Sequence, residues 1–361
     1  MSQLSLRVKK AAQRQGTAAL DQVGHQYALC KEFMMDRRIF AALAAGSLFG
    51  FSLPAGAQRT GKVWRIGFLN KSTRPPDGAV PASLRKALEA LGYVEGKDVV
   101  FEGRWAELRS ERLRPLAAEL IALDVDLIVA VGGAAAASAQ QASAAVPIVV
   151  VNAGDVVEIG LVVSLARPGG NVTGVNDQSA VLSAKRLQIL KEVVPSATQV
   201  AVLWNADDRG MTLRYREIEK AAQLLHVSIQ PLGVREPDDF DLALAAMSRV
   251  RPDALMMLSD ALTNLNRQRV IDYAARHRIP AMYEYGSLVQ GGGLISYGGD
   301  IAENYKLAAS YVARILKGAK PGDLPVEQPN RYFLVVNLKT AGSLGLTIPP
   351  SVLLRVDEVI S

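Results

Sequence analysis

From residue 63 onward the chain repeats one phrase. A short run of apolar residues is followed by a longer stretch in which apolar residues recur every three to four positions. VWRIGFL at 63–69 leads through a Pro/Gly-rich loop to 81–91, where Leu84, Ala87, Leu88 and Leu91 share one stripe and Gly92 closes the helix. A strand at 99–101 precedes a helix at 108–123. LIVAV at 127–131 turns at Gly132-Gly133 into an Ala-rich helix, and PIVVV at 147–151 precedes a short strand after Asn171. Apolar runs without polar alternation are strands buried on both faces, and the 3.6-period stretches are the helices that cover them. The phrase therefore predicts an α/β protein with parallel sheets.

The phrase then starts again. Helices are expected at 182–194, 211–225, 240–250, 264–277 and 304–316. Strands are expected at 199–204, 227–231, 254–258, 280–283 and 292–297. Two rounds predict two doubly wound, Rossmann-like lobes, because about 300 residues exceed what one core fills. A Pro/Gly-rich segment (317–329), a strand at 332–336 and a helix at 338–344 bring the chain back after both rounds. Repeated crossings make a multi-strand hinge, with a ligand cleft between the lobes. The expected division is 58–175 plus 298–325 for one lobe and 176–297 plus 326–361 for the other.

Upstream lies a leader. Arg37-Arg38-Ile39-Phe40 precedes the apolar run AALAAGSLFGFSL (41–53), and Ala55 and Ala57 stand in an A-x-A arrangement. This reads as a signal peptide at 35–57, cleaved near Ala57, because the run is shorter than the roughly 20 residues of a membrane span. The twin arginines leave Sec and Tat export both open. Residues 1–34 are read as an over-extended start. Of the net charge of +6, the first 57 residues hold +4, from seven Lys/Arg against three acids. The remaining +2 gives no footprint for nucleic acid. Cys30 is the only cysteine and precedes the cleavage position. Disulfides, thiol catalysis and a lipid anchor are thus excluded from the exported part, which is expected to be a periplasmic monomer.

Gly160-Leu-Val-Val-Ser164-Leu-Ala-Arg167-Pro168-Gly169-Gly170-Asn171-Val172-Thr173-Gly174 resembles a signature of ABC-transporter substrate-binding proteins, in the group with tryptophan- and tyrosine-binding members. Four further stretches agree: 315–321, 324–329, Asn337-Leu-Lys339-Thr340-Ala341, and Leu346–Pro349 with Asp357-Glu358-Val359-Ile360. The resemblance covers essentially 62–361. It implies the type I periplasmic-binding-protein fold, two lobes closing on a small solute, and ABC permease subunits as partners. The chain departs from the group at two strand ends. Gly132-Gly133-Ala134-Ala135 stands where members often carry Thr-Pro, and Asp155-Val156-Val157 where many carry Asp-Pro-Val.

Ligands of open α/β sheets bind beyond the carboxyl ends of the strands, which selects the candidate residues. Asn70 and Lys71 end the first strand. Gly133 and Ala134 open a helix whose N–H groups suit a carboxylate. Asn152 and Asp155 follow PIVVV, Asn205 follows QVAVLW, and Asp260 follows ALMML. Asp155 or Asp260 pairs with a ligand ammonium or caps its own helix. Tyr283 and Tyr285 stack on a flat body or pack in the core. Asp300, at a crossing, belongs to hinge or site. No Cys/His spacing makes a metal site, and the three histidines form no catalytic set. The glycine clusters lack the order of a nucleotide fingerprint, so no cofactor is expected.

The expected function is a non-catalytic solute-binding protein for an amino acid or a related carboxylate or aromatic compound. A secreted α/β enzyme, a transcription regulator of the same fold and a receptor uncoupled from uptake are the competing readings. The regulator lacks a DNA-binding segment, and the enzyme lacks a matched acid/base pair.

Overall fold

A computed structural model describes residues 62–177, 179–329 and 331–361. The leader and start-site readings lie outside these residues. The first sheet is all-parallel with order β2-β1-β3-β4-β5. Its strands are β1 (Trp64–Asn70), β2 (Val99–Trp105), β3 (Leu127–Val131), β4 (Ile148–Val151) and β5 (Val172–Gly174). Helices α1 (Ala82–Ala90), α2 (Leu113–Ala122) and α3 (Gly133–Ala142) connect them.

The second sheet has order β12-β11-β10-β9-β8-β6-β7. Its strands are β6 (Gln199–Asn205), β7 (Ser228–Val234), β8 (Ala254–Met257), β9 (Ala281–Tyr283), β10 (Ile295–Gly298), β11 (Phe333–Asn337) and β12 (Glu358–Ile360). Around it lie α4 (Ser179–Val193), α5 (Arg209–Leu224), α6 (Asp239–Arg249), α7 (Ala261–Leu265), α8 (Arg267–Arg276) and α9 (Gly286–Gln290), with α11 (Leu338–Leu344) and α12 (Pro350–Leu353) near its end. Between β10 and β11 the long α10 (Ile301–Leu316) packs on the first sheet, against α1 and β4.

The apolar runs are continuous because both faces of each sheet are covered. Ile66 and Phe68 pack with Tyr311 and Val312 on one face, while Leu69, Ile128 and Ala130 pack with the Ala-rich α3 on the other. Val200, Val202 and Trp204 likewise divide from Ala201 and Leu203. β10 and β11 run antiparallel, unlike their neighbours. β10 leaves its sheet toward the first half, the chain runs through α10 there, and β11 returns beside β10 in the opposite direction.

The chain passes between the halves after β5, after β10 and before β11. These segments are tied together. Val175 bridges to Glu327, the Thr173 hydroxyl donates to the Leu324 carbonyl at 2.7 Å, and the Asn176 N–H donates to the Glu327 carbonyl at 2.8 Å. In each sheet the chain order reverses about one strand, β1 in the first and β6 in the second. That reversal opens a crevice at the carboxyl ends of the strands.

Candidate ligand-binding site

Strand register puts the candidate residues side by side. In the first sheet Asn70 pairs with Val131, and Val131 with Val151, so Lys71, Gly132 and Asn152 follow one another along one edge. In the second sheet Leu203 pairs with Met257 and Met256 with Met282, which brings Asn205, Ser259 and Tyr285 into a second row. A cavity of about 550 Å³ is lined by both rows. Asn70, Gly133, Ala134, Asn152, Asp260 and Tyr285 all line it.

The wall from the first sheet is rich in donors. Gly132 has φ +87°, and its N–H donates to the Val151 carbonyl at 2.8 Å. The 153–161 loop presses so close that a Cβ on Gly133 would lie 2.7 Å from Ile159 Cδ1 and 3.1 Å from the Ala153 carbonyl oxygen. The first helical bond of α3 runs from the Ala136 N–H to the Gly132 carbonyl at 3.2 Å, so the N–H groups of Gly133 and Ala134 have no partner within the helix. The Asn70 side chain accepts from the Ser72 N–H at 2.9 Å. Asn152 has φ +56°, which asparagine tolerates, and its Oδ1 accepts from Asn304 of α10 at 2.6 Å. Lys71 is mostly buried and lines the same wall.

The facing wall carries the acceptor. Asp260 caps α7 through a capping box, with Oδ1 accepting from the Thr263 N–H at 2.9 Å. Its Oδ2 accepts from Asn205 Nδ2 at 2.6 Å. Burial pushes the Asp260 carboxyl above the usual carboxylate range, against the pull of the Thr263 and Asn205 hydrogen bonds. Capping and cavity lining are thus both true of this residue. Tyr285 and Tyr305 add aromatic surface, and Ile159 and Met211 add apolar surface.

Four candidates do not line the cavity. Asn205 is buried behind Asp260 and orients it. Asp155 turns its carboxylate back onto the N–H groups of Val157 (3.1 Å) and Glu158 (3.0 Å) and caps its own turn. Tyr283 lies still inside the sheet. Its ring packs among Val270, Ile271 and Leu288, and burial pushes its phenol up. Asp300 is exposed and caps α10, accepting from the Ala302 N–H at 2.7 Å.

Beneath the cavity floor is an ionic cluster that sequence reasoning missed. Glu284 is 1% exposed and accepts from Arg186 Nη1 at 2.8 Å, Arg214 Nη1 at 3.1 Å and the Ser259 N–H at 3.1 Å. Arg214 also pairs with Asp177 at 3.2 Å, and the Arg186 Nε donates to the Tyr297 carbonyl at 2.6 Å. Burial works to lower the Arg214 pKa, but Asp177 and Glu284 outweigh it and hold the guanidinium above its ordinary range. A signal was available. Arg214 falls on the stripe Met211, Tyr215, Ile218 of α5, where an unpaired cation has no place.

Two α/β halves that face a shared cavity with the carboxyl ends of their strands define a two-lobed solute-binding fold of the type I periplasmic class. The sequence matches the family described as ABC transporter substrate binding protein over residues 78–360, and the chain belongs to that family of binding proteins, which are not enzymes. It is 25% identical over 261 residues to a tyrosine-binding protein of Clostridioides difficile (strain R20291), covering 72% of this chain and 75% of the relative. A conserved domain protein from Vibrio cholerae superposes with a TM-score of 0.77 at 26% identity, covering 82% of this chain and 100% of the other. An ABC domain in complex with L-Trp from Streptococcus pneumoniae superposes with a TM-score of 0.76 at 24% identity, with the same coverage. Among the described residues no helix is long and apolar enough to cross a membrane.

Proposed function

We propose that the protein captures a free amino acid with a flat, aromatic side chain and delivers it to ABC permease subunits. The observation that carries this is the opposition of chemistries across the cavity. One wall offers the N–H groups of Gly133 and Ala134, and the other offers the Asp260 carboxylate beside Tyr285. A zwitterion satisfies both walls at once. The volume suits one small solute and its waters. The relative named for tyrosine supports the same class.

The two lobes, 58–175 with 298–325 and 176–297 with 326–361, would close on the ligand about the three crossings. Export through the leader at 35–57 would place the binding protein in the periplasm. N-terminal sequencing of secreted material would find it starting near Gln58.

Thermal unfolding and calorimetric titration with L-tyrosine, L-tryptophan, L-phenylalanine, glucose and ribose test the reading. A ligand at a hundredfold excess over Kd adds about 2.7 kcal/mol. That is a rise of about 4 °C for a domain pair of this size. An aromatic amino acid should give this shift and the sugars none. A sugar that stabilises while the amino acids do nothing overturns the reading.

A further inference from the structure

Lys71 stands out among the residues that line the cavity. The residue as a whole is 7% exposed, and among the described residues its ammonium makes neither a hydrogen bond nor an ion pair. The other cations on the cavity wall are accounted for. Arg214 is held by Asp177 and Glu284, and the exposed Arg209 reaches across to the Glu158 carbonyl at 3.5 Å. An ammonium that faces the cavity without a protein acceptor is left to water in the ligand-free protein and is open to an anionic group.

The surroundings of Lys71 say what partner it lacks. It follows Asn70, which pairs with Val131 in the sheet, so it sits on the strand next to the one that opens α3. The ten-residue α3 presents its amino end, with the unclaimed N–H groups of Gly133 and Ala134, to the same cavity. An ammonium and a helix amino end that line one cavity from the same sheet suit one anion with two oxygens. Asp260 lies on the facing wall, where it and Lys71 attract across the space between them. A ligand that enters with its negative group toward Lys71 and its positive group toward Asp260 gives each the partner it lacks.

We propose that Lys71, with the amino end of α3, anchors the carboxylate of the ligand and selects free amino acids over their amides, esters and amines. This rests on the amino-acid reading above. The anchor fixes the orientation of the ligand, carboxylate to the first sheet and ammonium to the second. The protein then discriminates by charge at one end of the molecule and by shape at the other.

Calorimetric titration of L-tyrosine and L-tyrosinamide against the parent, K71M and K71R tests it, with melting curves of each ligand-free protein. K71M should bind tyrosine about 30-fold or more weakly, the loss expected when one partner of a buried charge pair is removed. Its affinity for tyrosinamide should change less than threefold, so the parent's preference for the free acid collapses. K71R should recover part of the tyrosine affinity. Ligand-free K71M should stay folded and melt close to the parent, because the ammonium holds no protein hydrogen bond. A parent that binds tyrosine and a folded K71M that matches it overturn the anchor and leave the amino-acid reading standing. A parent that binds no amino acid overturns that reading, and the anchor falls with it.

Discussion

Replacing Glu284 by glutamine keeps the shape of the side chain and removes one charge from the most deeply buried ionic group among the described residues. The carboxylate serves three donors, and the side chains of Arg186 and Arg214 are 2% and 3% exposed, so water cannot take its place. In the parent, two guanidiniums face two carboxylates, Glu284 and Asp177. In E284Q the cluster loses the carboxylate that both guanidiniums share, and one negative charge is gone from beside Arg186 and Arg214. Breaking a buried pair from one side costs about 3–5 kcal/mol, more than the pair itself contributes, because the penalty is the charge left behind. For about 300 residues this is a fall in melting temperature of about 5–8 °C. Differential scanning calorimetry of ligand-free parent and E284Q measures it. A midpoint within 2 °C of the parent would show that the cluster is hydrated, and the account of the cavity floor given above would be wrong.

Two more outcomes follow from local geometry. Gly174 ends β5 with φ +133°, and a Cβ there would meet the Val150 carbonyl oxygen at 2.2 Å, so Gly174→Ala should prevent β4 and β5 from pairing and yield little folded protein on a gel-filtration column. Asp260 has a folded pKa raised chiefly by burial, so its native-state cost is absent below the unfolded pKa and grows as pH rises through the folded one. An ammonium ligand needs the ionised form. Amino-acid affinity should therefore fall on acidification sooner than an ordinary aspartate would make it, and Asp260→Asn, which keeps a capping oxygen, should bind weakly at every pH in the same titration. An unchanged pH profile in Asp260→Asn would remove Asp260 from the ammonium site.

Much of this architecture is legible because its causes are local. LIVAV and QVAVLW read as buried strands since no polar residue interrupts them, and β3 and β6 stand there. The strand at 99–101 runs on to Trp105 through Glu102 and Arg104. As an edge strand it is covered less, and its polar side chains hide its length. The helix expected at 264–277 is two, α7 and α8, because Asn266 interrupts the helical run. α9, α12 and β12 are too short to show a period and go unread. The strand-end rule finds the right edge of each sheet. It does not say which side chain there turns inward, so Tyr285 lines the cavity while Tyr283, two residues earlier, is core.

What sequence pattern conveys least is the pairing of distant charges. Arg186 and Arg214 each sit on a helix face that is otherwise buried, and the pattern shows the anomaly without its resolution. The partners come from 98 and 70 positions away, and both are the same glutamate, which follows β9 directly. Arg214 in turn reaches Asp177 at the first crossing and lies against the loop after β4, where a Cβ on Gly154 would be 3.3 Å from its Nη2. One side chain thus touches the second sheet, a crossing and the first half while also lining the cavity. A change in the angle between the halves cannot leave all three contacts intact. Arg214 is therefore where ligand occupancy and the geometry of the crossings meet, although the residue itself lies in the middle of an ordinary amphipathic helix.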